Sequence, residues 1–260
     1  MRIALGQLAS GTDTAANLRA IDAFAGRAAA AGAALVAFPE YASYEKKKID
    51  ATFPAAAQPL DGEVGAELSR IAARHRVALV AGVVESSPDP ARAYNTLAAF
   101  GADGGLLAAY RKIHLFDAQG FQESAFVAPA PSTDPVTFDV GGLRFGLLTC
   151  YDLRFPEQAQ ALSDAGSQVL LACSSWVPGE LKTNQWRTLL AARAIENSLY
   201  VAGVSQAPPV SVGNSLLAGP MGEVVAELGL DPGVLTADVS PDSMAEVRRH
   251  FPVHRQRRLR

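Results

Sequence analysis

The chain has 260 residues, 49% of them hydrophobic and 19% charged, which provides material for a sizeable core and excludes a disordered protein. Its 23 basic and 26 acidic residues leave a net charge of −3, too near zero for the broad basic field that a nucleic-acid partner needs. The longest run of apolar residues and glycine, Ala28 to Phe38, is eleven residues. A bilayer span needs roughly 20, and Met1 to Gln7 lacks the pattern of a signal peptide, so a cytoplasmic protein without a membrane partner is expected.

Arg2 to Leu8 reads as a first strand, followed by a helix from about Asp13 to Ala31 with Leu18, Ile21, Phe24 and Ala28 on one face. Ala33 to Phe38 is a continuous apolar run of the kind buried on both faces, and Pro39 and Glu40 end it. A second helix is predicted near Gly62 to His75, where Val64, Leu68, Ile71 and Ala72 share a face. Strands follow at Val77 to Val84, Tyr94 to Phe100 and Leu106 to Tyr110, with Lys112 just past the third.

The second half repeats that order. Strands at Val136 to Val140 and Leu143 to Thr149 lead to Cys150, then a helix near Pro156 to Ala165, a strand at Gln168 to Cys173 and a helix from about Thr183 to Asn197. Further strands are expected at Leu199 to Val204, Asn214 to Ala218, Glu223 to Glu227 and Val234 to Val239. The predicted fold class is therefore α/β, a four-layer αββα sandwich of two mixed sheets with helices outside. No Gly/Ser linker divides the chain, so residues 1–260 are expected to form one domain. Its end, residues 248–260, is a basic tail with six arginines, two histidines and no acid, against a charge of −9 on residues 1–247. Such a tail is either a solvated extension or a strap over an acidic surface of the same or a second subunit.

Two cysteines cannot build a disulfide framework, and no C-x-x-C spacing suggests zinc or redox work, so no metal and no cofactor is expected. The G-x-S-x-G, P-loop, H-E-x-x-H and G-x-G-x-x-G signatures are absent. Cys173, inside Val169-Leu170-Leu171-Ala172-Cys173, fits a small buried hydrophobe. Cys150 differs, because it ends a strong strand where apolar residues give way to Tyr151-Asp152-Leu153-Arg154-Phe155-Pro156-Glu157. Ligands of α/β sheets bind beyond the carboxyl ends of strands. Glu40 and Lys112 also follow strand ends, which converges a thiol, a carboxyl and an ammonium on one rim. Among the four histidines, His75 ends a helix, His250 and His254 lie in the tail, and His114 stands two residues after Lys112. A Cys-His amidotransferase or papain-like site is thus the enzymatic rival, with His114 its first candidate base, and a binding or scaffold protein without turnover is the non-enzymatic one.

The segments F-P-E-Y at Phe38, Y-R-K-x-H-L-F-D at Tyr110 and C-Y-D-L-R-F-P-E at Cys150, in this order, resemble the nitrilase superfamily of carbon–nitrogen hydrolases, especially its Nit-type ω-amidase branch. The resemblance extends over nearly the whole chain, through Phe121-Gln122-Glu123-Ser124, Ala192-Arg193-Ala194-Ile195-Glu196-Asn197, Gly219-Pro220-Met221-Gly222 and Arg249-His250-Phe251-Pro252-Val253. It implies an αββα sandwich with a Cys-Glu-Lys site at Cys150, Glu40 and Lys112. A second glutamate near the lysine falls on Glu123, and the backbone N–H of Tyr151 falls where an oxyanion forms. The implied substrate is a small linear amide, such as the ω-amide of a 2-oxo acid, α-ketoglutaramate and deaminated glutathione among them. A nitrile or an N-carbamoyl compound is the alternative. Relatives of this kind pair through an outer helical layer, which implies at least a homodimer. Three departures border the pocket in relatives: a short loop from Asp117 to Phe121, Asn214 in place of a common histidine, and Lys182 to Gln185 in place of Gly-Pro-Ala-His.

Overall fold

A computed structural model describes residues 1–258; Leu259 and Arg260 of the basic tail lie outside the described residues. The first half runs through β1 (Arg2–Gln7), α1 (Thr14–Ala30), β2 (Leu35–Ala37), α2 (Thr52–Ala56), α3 (Glu63–His75), β3 (Ala78–Ser86), β4 (Ala93–Phe100), β5 (Leu106–Arg111) and the short β6 (Val127–Ala128). The second half supplies β7 (Thr137–Val140), β8 (Leu143–Thr149), α4 (Pro156–Asp164), β9 (Val169–Ser174), α5 (Lys182–Asn197) and β10 (Tyr200–Ser205). Then come β11 (Leu216–Ala218), β12 (Val224–Glu227), β13 (Gly233–Asp238), α6 (Pro241–His250) and α7 (Val253–Gln256).

Successive side chains of a strand point to opposite faces, and here that alternation sorts the core into layers. Ile3, Leu5, Leu35, Ala37, Ala78 and Val80 turn inward and meet Phe145, Leu147, Leu171 and their neighbours from the second sheet. Their sequence neighbours Ala4, Val36, Leu79 and Ala81 turn outward, onto Ile21 and Ala25 of α1 and Leu68 and Ile71 of α3. On the far side, Leu162 of α4 and Trp186 and Leu190 of α5 cover the second sheet. Burial of both faces explains the unbroken apolar runs that mark the central strands. The layers are α1 and α3, sheet, sheet, α4 and α5, the αββα sandwich predicted from the sequence.

The two sheets share one topology. The first has the order β13-β1-β2-β3-β4-β5, with β6 paired to the start of β4, and the second has the order β12-β11-β10-β9-β8-β7. In each, three parallel strands, β1-β2-β3 or β8-β9-β10, are flanked by one antiparallel strand on one side and two on the other. Parallel strands all end at one rim, so Glu40 after β2, Cys150 after β8 and Ser175 after β9 emerge together. The antiparallel β4 begins at that rim and brings Asn95, and β5 returns to it and brings Lys112.

Arg248 to His250 form the last turn of α6, not the start of a free extension. Ser240 caps this helix by accepting the Ser243 amide at 3.2 Å, Pro241 fits its first turn, and three basic side chains complement its carboxyl end. Beyond it, α7 lies on α5, Arg257 pairs with Asp164 at the end of α4, and Arg248 Nε donates to Ser198 O at 3.1 Å. The strand expected from Asn214 starts only at Leu216, because Gly213 and Asn214 both adopt positive φ.

Candidate active site

The rim surrounds a cavity of about 350 Å³ lined by Glu40, Lys112, Glu123, Cys150 and Tyr151 among others, so the five site residues predicted from sequence face one space. Lys112 is 2% exposed and sits between two carboxyl groups. Its Nζ donates to Glu40 Oε1 at 2.9 Å and to both oxygens of Glu123, at 3.0 and 2.8 Å. Burial alone would push the ammonium down; the charges of Glu123 and Glu40 outweigh it and hold the pKa well above the ordinary lysine value.

Every carboxylate oxygen in this cluster has further donors. Asn95 Nδ2 donates to Glu40 Oε1 at 2.6 Å and to Glu123 Oε1 at 3.2 Å, and the Tyr41 hydroxyl donates to Glu123 Oε1 at 2.9 Å. The Phe116 amide donates to Glu123 Oε2 at 2.6 Å, and the Ser175 amide to Glu40 Oε2 at 2.6 Å. Glu40 thereby joins the two sheets, since Ser175 follows β9 of the second. The loop carrying Glu40 passes so close to β3 that a Cβ on Gly82 would lie 2.4 Å from the Tyr41 nitrogen and 2.5 Å from the Pro39 oxygen. Only glycine leaves that space.

Cys150 stands at the mouth of the second sheet with φ 48°, a left-handed conformation that an L-residue adopts at some cost. Its Sγ lies 3.8 Å from the Ser175 oxygen. Burial and the Glu40 charge push its thiol well above the ordinary value, against the pull of Lys112. The resting sulfur therefore keeps its proton. Asp152, buried two residues on, pins the turn: Oδ2 accepts from the Thr149 amide at 3.0 Å and the Tyr110 hydroxyl at 2.6 Å, and Oδ1 from the His114 amide at 3.0 Å. Tyr151 packs edge-on against Phe116, with ring centroids 5.1 Å apart.

His114 has another occupation. Its Nδ1 is 2.7 Å from Asp152 Oδ1, its ring stacks on Phe155 at 3.7 Å, and it is not among the residues lining the cavity that holds Cys150. His75 likewise pairs with Asp22, at 2.7 Å. Both histidines have carboxylate partners, which sequence spacing did not reveal, and neither partner is at the thiol. Cys173 is fully buried inside β9.

Several cavity residues escape a sequence reading. Asn95 leaves a signal, a polar residue inside a buried strand; Ser175 acts through its backbone and leaves none. Glu45 sits in a lysine-rich loop that reads as solvated, yet it is 4% exposed. Its Oε1 accepts the Lys46 amide at 2.8 Å, and among the described residues its Oε2 has no hydrogen-bond partner. Burial, with the Glu40 charge adding to it, pushes Glu45 up to about 8. Among the described residues, no group of three or more His, Cys, Asp or Glu side chains is placed to hold a metal ion, and no helix is long and apolar enough to cross a membrane.

The sandwich is that of a nitrilase-superfamily hydrolase. The chain belongs to the carbon–nitrogen hydrolase family, whose model matches residues 2–249. It is 41% identical over 271 aligned residues to a hydrolase of Mycobacterium tuberculosis, covering 98% of this chain and 95% of the relative. To the human omega-amidase NIT2 it is 36% identical over 273 residues, covering 99% and 95%. Among solved structures, the nitrilase-superfamily amidase of Nesterenkonia sp. AN1 superposes with a TM-score of 0.83 at 30% identity, covering 98% of this chain and 96% of that one. One structure of that amidase shows acrylamide joined by Michael addition at its active-site cysteine.

Proposed function

We propose that this carbon–nitrogen hydrolase is a cysteine-dependent amidase that converts a small linear amide, the ω-amide of a 2-oxo acid or a close analogue, to carboxylate and ammonia. The observation that carries this reading is Glu40, held by Lys112, Asn95 and the Ser175 amide beside a protonated Cys150 thiol. As Sγ attacks the amide carbon, Glu40 takes the thiol proton and the carbonyl oxygen becomes an oxyanion. Lys112 and the Tyr151 backbone N–H stabilise that oxyanion, each worth roughly 3–4 kcal/mol in comparable sites. Collapse breaks the C–N bond, and the proton held by Glu40 passes to the departing nitrogen, releasing ammonia and leaving a thioester. Water, deprotonated by the same carboxylate, then attacks the thioester and restores the thiol. Glu123 positions Lys112 throughout.

The ω-amidase name of the human relative and the amidase name of the Nesterenkonia neighbour support this reading over a nitrilase or an N-carbamoyl hydrolase. An ammonia-release screen over ω-amides, nitriles and N-carbamoyl compounds tests it, with Cys150→Ala as the blank. The reading fails if ammonia release from the amides survives Cys150→Ala. The chain is also proposed to act as a homodimer. Exposed Ile195 on α5, Met221 in the turn before β12 and Val224 at the start of β12 supply apolar surface for a second copy, and Gly222 abuts Ile195. Light scattering that returns a 27.2 kDa monomer at micromolar concentration rejects the dimer.

A further inference from the structure

The charges in the cavity do not balance, and the surplus is positive. Glu40 and Glu123 share the single cation Lys112 and leave one negative charge, which Arg154, Lys182 and the mouth lysines outweigh, and Glu45, pushed up to about 8, holds its proton at neutral pH. Left over in the wall are Arg154 and Lys182. Arg154 donates to a neutral partner, Gln185 Oε1, at 2.7 Å, and stacks its guanidinium 4.9 Å from the Trp176 ring. Lys182 opens α5 and is 4% exposed, yet among the described residues its Nζ has neither a hydrogen-bond acceptor nor a carboxylate partner. The ammonium rests on two aromatic faces, 5.1 Å from the Trp176 centroid and 5.3 Å from that of Phe116. Its backbone is fixed, because Trp176 Nε1 donates to the Lys182 oxygen at 3.0 Å. Burial first, and the Arg154 charge second, push the Lys182 pKa down. At the mouth, Lys47 and Lys48 are exposed and add to the positive field, while Lys46 is paired with Asp50.

Resting on the amidase reading, we propose that Lys182 is a specificity-determining residue that binds a carboxylate at the far end of the substrate, with Arg154 beside it. Lys182 then favours the carboxylate-bearing ω-amides of that reading over neutral amides of the same length. Aromatic walls suit this task, since they hold the ammonium without neutralising it and exclude the water that would screen it. Lys182 and Cys150 line the same cavity.

The test compares succinamate with butyramide, in which a methyl group replaces the carboxylate, in the full chain and in Lys182→Met and Lys182→Arg. Methionine fills the same volume, so the fold is expected to persist, checked by circular dichroism. For Lys182→Met, kcat/KM on succinamate is expected to fall by about thirtyfold or more, chiefly through KM, the low end of the cost of stranding one member of a buried charge pair. Butyramide is expected to stay within about threefold, as it has no charge to lose, and Lys182→Arg is expected to restore much of the preference. An equal fall on both substrates, or no change on either, overturns the proposal. Calorimetry with succinate separates this from the amidase reading. If no amide is turned over but succinate binds and Lys182→Met weakens it about tenfold or more, the amidase reading fails and the subsite stands. Succinate that fails to bind, or binds both proteins equally, overturns the subsite.

Discussion

Beyond β2 and β5 the first sheet presents three ionisable side chains locked on one another, Glu40, Lys112 and Glu123. Beyond β8 and β9 the second presents a thiol on a left-handed turn, the Ser175 amide and the Trp176 indole. One topology, used twice, thus supplies charge from one side and the nucleophile from the other. The charged cluster is part of the core and is satisfied before any ligand arrives. Cys150 carries no structural duty of that kind, its Sγ making a single long contact of 3.8 Å to the Ser175 carbonyl oxygen among the hydrogen bonds of the described residues. The consequence is that substitutions on the two sides should separate, with activity alone lost on the second and activity lost together with stability on the first.

Cys150→Ala is the cleanest way to break the comparison. Ammonia release is expected to fall by about 10⁴-fold or more, because the residues of such a site act as a unit. Circular dichroism and urea unfolding are expected to match the unaltered protein. Cys173→Ala, in the same sheet and deeper in the core, is expected to do the reverse, keeping activity and costing stability. A Cys150→Ala protein that unfolds markedly earlier would mean that the thiol is structural too.

Lys112→Met tests the other side. It leaves Glu40 and Glu123 facing each other in a buried space without their shared cation, a loss of about 3–5 kcal/mol in comparable cases. Activity should vanish and the urea midpoint should drop. Equal midpoints for Lys112→Met and Cys150→Ala would erase the distinction between the two sides.

Glu45 sharpens the comparison by adding a pH axis to the first side. Its ordinary value of 4.5 applies when the chain is unfolded, and folding raises it to about 8. Between those values the folded protein holds a proton that the unfolded chain has released, so this group's contribution to stability falls as pH rises from about 4.5 to about 8. Glu45→Gln removes the titration. The variant is expected to match the unaltered protein near pH 4 and to exceed it, by an amount that grows with pH, up to pH 8. Urea unfolding at pH 5 and pH 8 checks this, and parallel pH dependences for the two proteins would refute it.

The division between sides also explains what the sequence discloses. Strands buried on both faces leave unbroken apolar runs, and the residues after them stand out because they are polar, so Glu40, Lys112 and Cys150 were legible as rim residues. Their chemical grouping came from the resemblance to a family, since spacing alone cannot show that residues 40, 112 and 150 meet. What stayed hidden acts through backbone or against local expectation. Ser175 contributes an amide that any residue but proline could supply. Glu45 lies beside three lysines and is nevertheless buried, because the loop folds over the cavity and not into solvent. Helix α6 is marked by Ser240, Pro241 and its basic last turn, and the arginines that follow mask those capping signals by making the whole segment read as one run of charge.

The smallest expected effect falls on the outer layer of the second side, where the carboxyl-terminal segment adheres. Arg257 meets Asp164 at the end of α4, and Arg248 reaches the Ser198 carbonyl after α5, so the segment braces the two helices that cover the second sheet, and none of its described residues lines the cavity. Asp164 is about half exposed, and a pair so placed contributes roughly 0–1 kcal/mol and is screened by salt. Phe251, 52% exposed, adds little burial of its own. Arg257→Ala is therefore expected to lower the melting temperature slightly at low ionic strength, to match the unaltered protein in high salt, and to leave ammonia release unchanged. A salt-independent loss of stability would show that packing of α7 on α5, and not charge, holds the segment down. A loss of activity would show that the outer layer of the second side is coupled to the turn bearing Cys150, which sits on the other side of α4 from this contact in sequence.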